Sequence, residues 1–102
     1  MKDVFARAGV EHGARELLAL LRHREDLAHL DVEVRGDAVI LFSTEDGEKV
    51  RRARFTALGA GHYGLSLTRP SGRWEPTPFH GPLPEVAEIL VTQLGFHLAR
   101  FP

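Results

Sequence analysis

The stretch Val32-Glu33-Val34-Arg35-Gly36-Asp37-Ala38-Val39-Ile40-Leu41-Phe42-Ser43-Thr44-Glu45-Asp46-Gly47 decides the fold. Val32 and Val34 alternate with Glu33 and Arg35, the two-residue period of a strand with one wet face. Gly36-Asp37 is a tight turn. Residues 38–44 form a second strand, apolar on both faces through Val39-Ile40-Leu41-Phe42. Glu45-Asp46-Gly47 closes a hairpin, since Asp-Gly readily supplies the positive φ angles that a two-residue turn needs. Strand, turn, strand, turn in so short a span predicts an antiparallel meander.

The alternation continues downstream. Residues 49–58 predict a third strand, with Ala53, Phe55 and Ala57 inward and Arg52, Arg54 and Thr56 outward. Gly59-Ala60-Gly61 turns the chain into a fourth strand, 62–68, with Tyr63, Leu65 and Leu67 inward. After Arg69-Pro70-Ser71-Gly72 a short fifth strand, 73–75, runs into Pro76-Thr77-Pro78. Those prolines cannot donate to a ladder, so the segment belongs at a sheet edge or outside the sheet. The proline-rich run 74–84 reads as a stiff cross-over pinned by Trp74 and Phe79.

Helical period flanks the meander on both sides. Over residues 10–30, Val10, Ala14, Leu17, Leu18, Leu21 and Ala28 recur at helical spacing, with His12, Glu16 and His23 turned toward water. Gly9 is expected to separate a short turn, 4–8, from this helix. A second helix starts near Leu83, with Pro84 in its first turn, a stripe of Val86, Ile89, Leu90 and Leu94, and Gly95 as its cap. Phe96, Leu98 and Phe101 are expected to pack back on the domain. The chain is thus a single α+β domain over residues 1–102. It is a four- to five-stranded antiparallel meander with an N-terminal and a C-terminal helix packed on one face, in the order α-β-β-β-β-(β)-α. The expected core unites Leu17, Leu21, Phe55, Tyr63, Leu65, Leu67, Val86, Ile89 and Leu90.

Composition narrows the chemistry. The chain of 102 residues has no cysteine, which excludes disulfides, thiol nucleophiles and thiolate metal sites. No apolar run reaches the ~18–20 residues of a membrane span, and Met1-Lys2-Asp3-Val4-Phe5 lacks a signal-peptide core, so a cytoplasmic home is expected. Asn is absent, and Gln and Met occur once each, a thermophile-like economy in labile residues. No cofactor is expected. Ser43, Ser66 and Ser71 sit in no nucleophile motif. The six histidines are scattered, and His12 and His23 lie about 16 Å apart along a helix, too far for one metal ion. Gly59-Ala60-Gly61-His62-Tyr63-Gly64 matches the dinucleotide fingerprint literally. A strand rather than a helix follows it, so a hairpin turn is expected instead.

Charge is unevenly distributed. From Lys49 to Trp74 there are six cationic residues and no acid, while the segments on either side are acidic and the net charge is −1. Arg52, Arg54, Arg69, Arg73 and Trp74 form the candidate contact for an anion or nucleic acid, arginine beside an aromatic being a phosphate-and-base platform. Leu20 and Leu27 extend the first helix's apolar stripe beyond what one sheet covers and are the candidate contacts of a homodimer.

The helix–meander–helix order and the length resemble bacterial frataxins, and the order also resembles a double-stranded-RNA-binding domain. Glu25-Asp26 and Asp31 partly mimic a frataxin acidic ridge. Lys49-Val50-Arg51-Arg52-Ala53-Arg54 is basic where that family has a Gln/Asn-rich strand. Leu83-Pro84-Glu85-Val86 stands where the RNA-binding family starts its second helix with lysines. No family is identified on residues. The sequence therefore reads as a small non-enzymatic binding or interaction domain that self-associates. A nucleic-acid-binding protein using a basic sheet face is the alternative, and frataxin-like metal delivery the third reading.

Overall fold

Alternating apolar residues organise five strands, β1 (Leu30–Arg35), β2 (Ala38–Glu45), β3 (Glu48–Gly59), β4 (His62–Thr68) and β5 (Trp74–Pro82). They lie in sequence order, each antiparallel to the next. Helix α1 (Lys2–Arg22) precedes them and α2 (Leu83–Gln93) follows. The structure, a computed structural model, describes residues 2–95, with side chains from residue 9 onward. The expectations for Phe96, Leu98 and Phe101 lie outside the described residues. Among the described residues no helix is long and apolar enough to cross a membrane.

The α+β meander is as the sequence predicts, and one sheet face carries the core. Register places Val34, Val39, Phe55 and Leu65 in a single row across four strands. Val10, Leu17 and Leu21 of α1 join this cluster, as do Leu83, Val86, Ala87 and Leu90 of α2. The α2 stripe is a helical i, i+3, i+4, i+7 set, rotated from the expected one. Ala87 replaces Ile89, which is half-buried, and Leu67 is half-buried as well. The helix ends at Gln93, where the Leu94 N–H donates to the Leu90 carbonyl at 3.1 Å, without the expected Gly95 cap.

The first helix differs from expectation at both ends. It runs through Gly9 without a break, a tolerance that costs about 1 kcal/mol against alanine. It stops at Arg22 rather than near residue 30. Eight more helical residues would carry the chain about 12 Å further along the axis, away from the sheet edge that Leu30 must join. Instead a 3-10 turn, Glu25–Leu27, reverses the chain. Arg22 ties the reversal together through Nη1, which donates to the carbonyls of Ala28 (3.2 Å) and Leu30 (2.8 Å). Ala28 is left exposed and Leu27 is driven into the core.

Three irregularities interrupt the sheet, one of them a register shift between Ala57 and Gly59 beside the β3–β4 turn. Between Leu41 and Phe42 the β2–β3 register shifts, so that Ala53 faces Leu41 and Arg51 faces Phe42, with Arg52 as the extra residue of a bulge. β5 is longer than expected and contains Pro76, Pro78 and Pro82. It forms the sheet edge, where missing N–H groups are tolerated, and the Thr77 hydroxyl donates to the Leu65 carbonyl at 2.9 Å where the register with β4 breaks.

The β2–β3 hairpin turns through Asp46 (φ 50°) and Gly47 (φ 81°), and the β3–β4 hairpin through Ala60 (φ 54°) and Gly61 (φ 77°). Alanine in the left-handed region costs roughly 1–2 kcal/mol. Ala60→Gly is therefore expected to stabilise the domain by up to about 1 kcal/mol in urea denaturation. Leu90→Ala is expected to cost ~2–5 kcal/mol in the same assay, because the Leu90 side chain is 1 % exposed.

Candidate functional site

With both helices on one face, the opposite face of the sheet stays uncovered by either of them. Glu33, Ile40, Arg54, Ser66 and Pro76 form its central row by register. Alternation puts Asp31, Phe42, Arg51, Thr68 and Trp74 on one side of that row and Arg35, Ala38, Thr56, Gly64 and His80 on the other. Ile40 is only 4 % exposed although neither helix lies over it, because its register partners Glu33 and Arg54 flank it on both sides. Strand β2 is apolar on both faces for this reason.

On this face two cations, Arg54 and Lys49, lie over aromatic rings. The Arg54 guanidinium carbon sits 5.2 Å from the Trp74 ring centroid, and Lys49 Nζ sits 4.6 Å from that of Phe42. Their electrostatics differ. Lys49 pairs with Glu33 at 2.7 Å, and Arg51 Nε reaches the other Glu33 oxygen at 3.9 Å. Among the described residues no carboxylate pairs with Arg54, and its buried Nε makes no hydrogen bond. Lys49, Arg51, Arg54 and Arg35 share this face with only Asp31 and Glu33, so the open face is net basic within a near-neutral chain.

The five residues expected to meet an anion separate. Arg54 and Trp74 meet on the open face. Arg52, expected beside Arg54, points to the helix-covered face instead, because the bulge inserts one residue and inverts the alternation there. It is 4 % exposed; Nε and Nη2 donate to Ser43 Oγ at 3.0 and 2.9 Å, and Nη2 also reaches Glu45 at 3.1 Å. Arg69 and Arg73 stand exposed at the ends of the β4–β5 turn, whose backbone closes through Arg69 N–H to the Arg73 carbonyl at 2.8 Å. Arg69 pairs with Glu75 at 3.3 Å, both solvated, which contributes little. Phe42, Lys49 and Arg51 were missed as members of this face. Phe42 shares the parity of Ile40 by plain alternation along β2, whereas that of Lys49 and Arg51 with Arg54 becomes visible only once the bulge is known.

The proposed dimer contacts separate too. Leu20 is 41 % exposed beside a shallow groove between the helices that Ala87 and Val91 also line. Leu27 lines the same groove but is only 5 % exposed and belongs to the domain's own core.

At one end of the sheet, His12, exposed as expected, and Glu16, which is half-buried, line a cleft together with Tyr63. The Tyr63 hydroxyl donates to the Gly9 carbonyl at 3.2 Å. A Cβ on Gly13 would lie 2.6 Å from that hydroxyl, so only glycine admits the phenol there. The Gly59–Gly61 segment is the β3–β4 hairpin turn, not a helix entry. Among the described residues no three His, Asp or Glu side chains gather as a metal site. Comparison with protein-family models, curated proteins and solved structures yields no match.

Burial pushes the Tyr63 phenol above its usual value, and the Glu16 carboxylate adds to the shift. The native state thus holds the proton more tightly than the unfolded chain does. The resulting stability is present in full below about pH 10, where both states are protonated, and is lost as pH rises through the elevated value. Tyr63 is the chain's one tyrosine, so phenolate absorbance reports it alone. Native protein is expected to titrate above an unfolded control, and the alkaline loss of stability is expected to be smaller in Tyr63→Phe.

Proposed function

We propose that the chain is a non-enzymatic binding domain whose working surface is the open sheet face, and that its partner is an anionic polymer, single-stranded nucleic acid fitting best. The observation that carries this reading is Arg54, stacked on Trp74 in the middle of an uncovered sheet with no carboxylate partner among the described residues. A guanidinium lying over an indole offers hydrogen bonds to phosphate beside an aromatic surface for bases. Lys49 and Arg51 share its face. The near-neutral total charge is compatible with this, because exposed acids such as Glu11, Glu85 and Glu88 lie on the helices, away from the open face.

Self-association is the second reading, carried by Leu20, which is exposed beside the groove between α1 and α2. A dimer through that face leaves the sheet free.

Trp74 is the chain's one tryptophan, so its fluorescence reports the open face directly. Mixed-sequence single-stranded oligonucleotides are expected to quench it at low salt, with affinity falling as salt rises because counterions are released on binding. Arg54→Glu is expected to weaken binding roughly tenfold or more. Wild type that binds neither DNA nor RNA at low salt, or an equally tight Arg54→Glu, overturns the reading. Light scattering on the same samples tests the second reading: a dimer that Leu20→Glu dissociates supports it, and a monomer at high micromolar concentration removes it.

A further inference from the structure

The cleft beside Tyr63 is chemically unlike the open face. It occupies about 560 Å³ where α1, the β3–β4 hairpin and the junction of β5 with α2 meet, within the ~300–1,000 Å³ common for small-molecule sites. Part of its lining is apolar, from Val10, Ala57, Pro82 and Leu83. The polar side chains are Glu16 from α1, Asp37 from the β1–β2 turn, Tyr63, and the imidazoles of His12 and His62.

These groups favour one class of ligand. Among the described residues no lysine or arginine lines the cleft beside Glu16 and Asp37. The Tyr63 proton is committed to the Gly9 carbonyl, which leaves the phenolic oxygen free to accept a hydrogen bond from a ligand. Burial and Glu16 keep that phenol protonated. The carboxylates only accept, and each neutral imidazole has one accepting nitrogen. The cleft is therefore negative and rich in acceptors, a setting that opposes phosphate and favours a cation that donates hydrogen bonds. The metal alternative lacks a three-ligand cluster among the described residues. The aromatic faces and apolar residues suit a carbon skeleton attached to the charge.

The walls are held in place. Two independent elements bring the carboxylates in, and the Ala57 N–H donates to the Asp37 carbonyl at 2.8 Å, fixing the β1–β2 turn against β3. Gly13 gives Tyr63 its seat, and the Gly59-Ala60-Gly61 turn forms part of the wall. Such preorganisation lowers the ordering cost of binding.

We infer that this cleft binds a small organic ammonium ion with an apolar body, with Glu16 and Asp37 meeting the charge and Tyr63 accepting a hydrogen bond from it. The site is separate from the open sheet face and does not depend on the nucleic-acid reading.

The test titrates the full chain with phenethylamine, with phenylacetate and 2-phenylethanol as anionic and neutral counterparts of similar shape, followed by calorimetry and amide chemical shifts. Saturable binding of phenethylamine alone, with shifts at Gly9, Gly13 and Gly61, is expected. Glu16→Gln and Asp37→Asn, checked for folding by circular dichroism, are each expected to weaken it about tenfold, the loss of one charge-assisted hydrogen bond. No binding at millimolar amine, equal binding of either counterpart, or unchanged affinity in both variants overturns the proposal. If one variant fails to fold, the other decides.

Discussion

The row Val34–Val39–Phe55–Leu65 is the constraint on which the rest of the structure depends. Its four residues come from four strands, and Val39 and Phe55 are fully buried beneath the helices. Strand side chains alternate with a period of two, so slipping any pairing by one residue would move these groups to the open face and bring charge inward. With the row in place, Glu33, Ile40, Arg54 and Ser66 must lie on the opposite side. The open face is thus a by-product of the core, and its chemistry is whatever the sequence places between the apolar positions.

Arg52 is the exception, and it shows where reading by alternation fails. The strand pattern is legible in Val32/Val34, in Phe55 against Arg54, and in Tyr63, Leu65 and Leu67, because the two-residue period is a local property. Asp46-Gly47 and Ala60-Gly61 mark their hairpins through local turn chemistry. The bulge at Arg52 is not local. Nothing in Arg51-Arg52-Ala53 announces it, since it arises from pairing with β2 and from what the inserted side chain then finds, namely Ser43 and Glu45. A buried guanidinium is tolerable only with such partners. Half of the expected Arg52/Arg54 pair was lost for this reason. The end of α1 is hidden for a similar cause. His23-Arg24 contains neither glycine nor proline, and Arg22 stops the helix by bonding to carbonyls that lie beyond it in the chain. The cleft could not be read at all, since it needs Glu16, Asp37 and Tyr63 from three separate elements.

The two candidate sites divide the chain's charge between them. Lys49, Arg51 and Arg54 make the open face basic, while Glu16 and Asp37 make the end cleft acidic. A net charge near zero conceals this arrangement, because each region lies on its own part of the fold. Within a Debye length of about 8 Å at physiological salt, a ligand responds to the local charge rather than to the total.

The meander also sets an order of events during synthesis. Each strand pairs with the one made just before it, so hairpins can close while the chain is still emerging, without waiting for distant segments. The core cannot close in the same way. Leu83, Val86, Ala87 and Leu90 enter it from α2, the last described element to leave the ribosome. Until then the row centred on Phe55 has only the N-terminal helix to shelter it, and a nascent sheet with half of its apolar face bare is a natural client for chaperones. The prolines of β5 suit that interval, because the strand last added to the growing sheet is also the one least able to recruit a neighbouring chain along its edge.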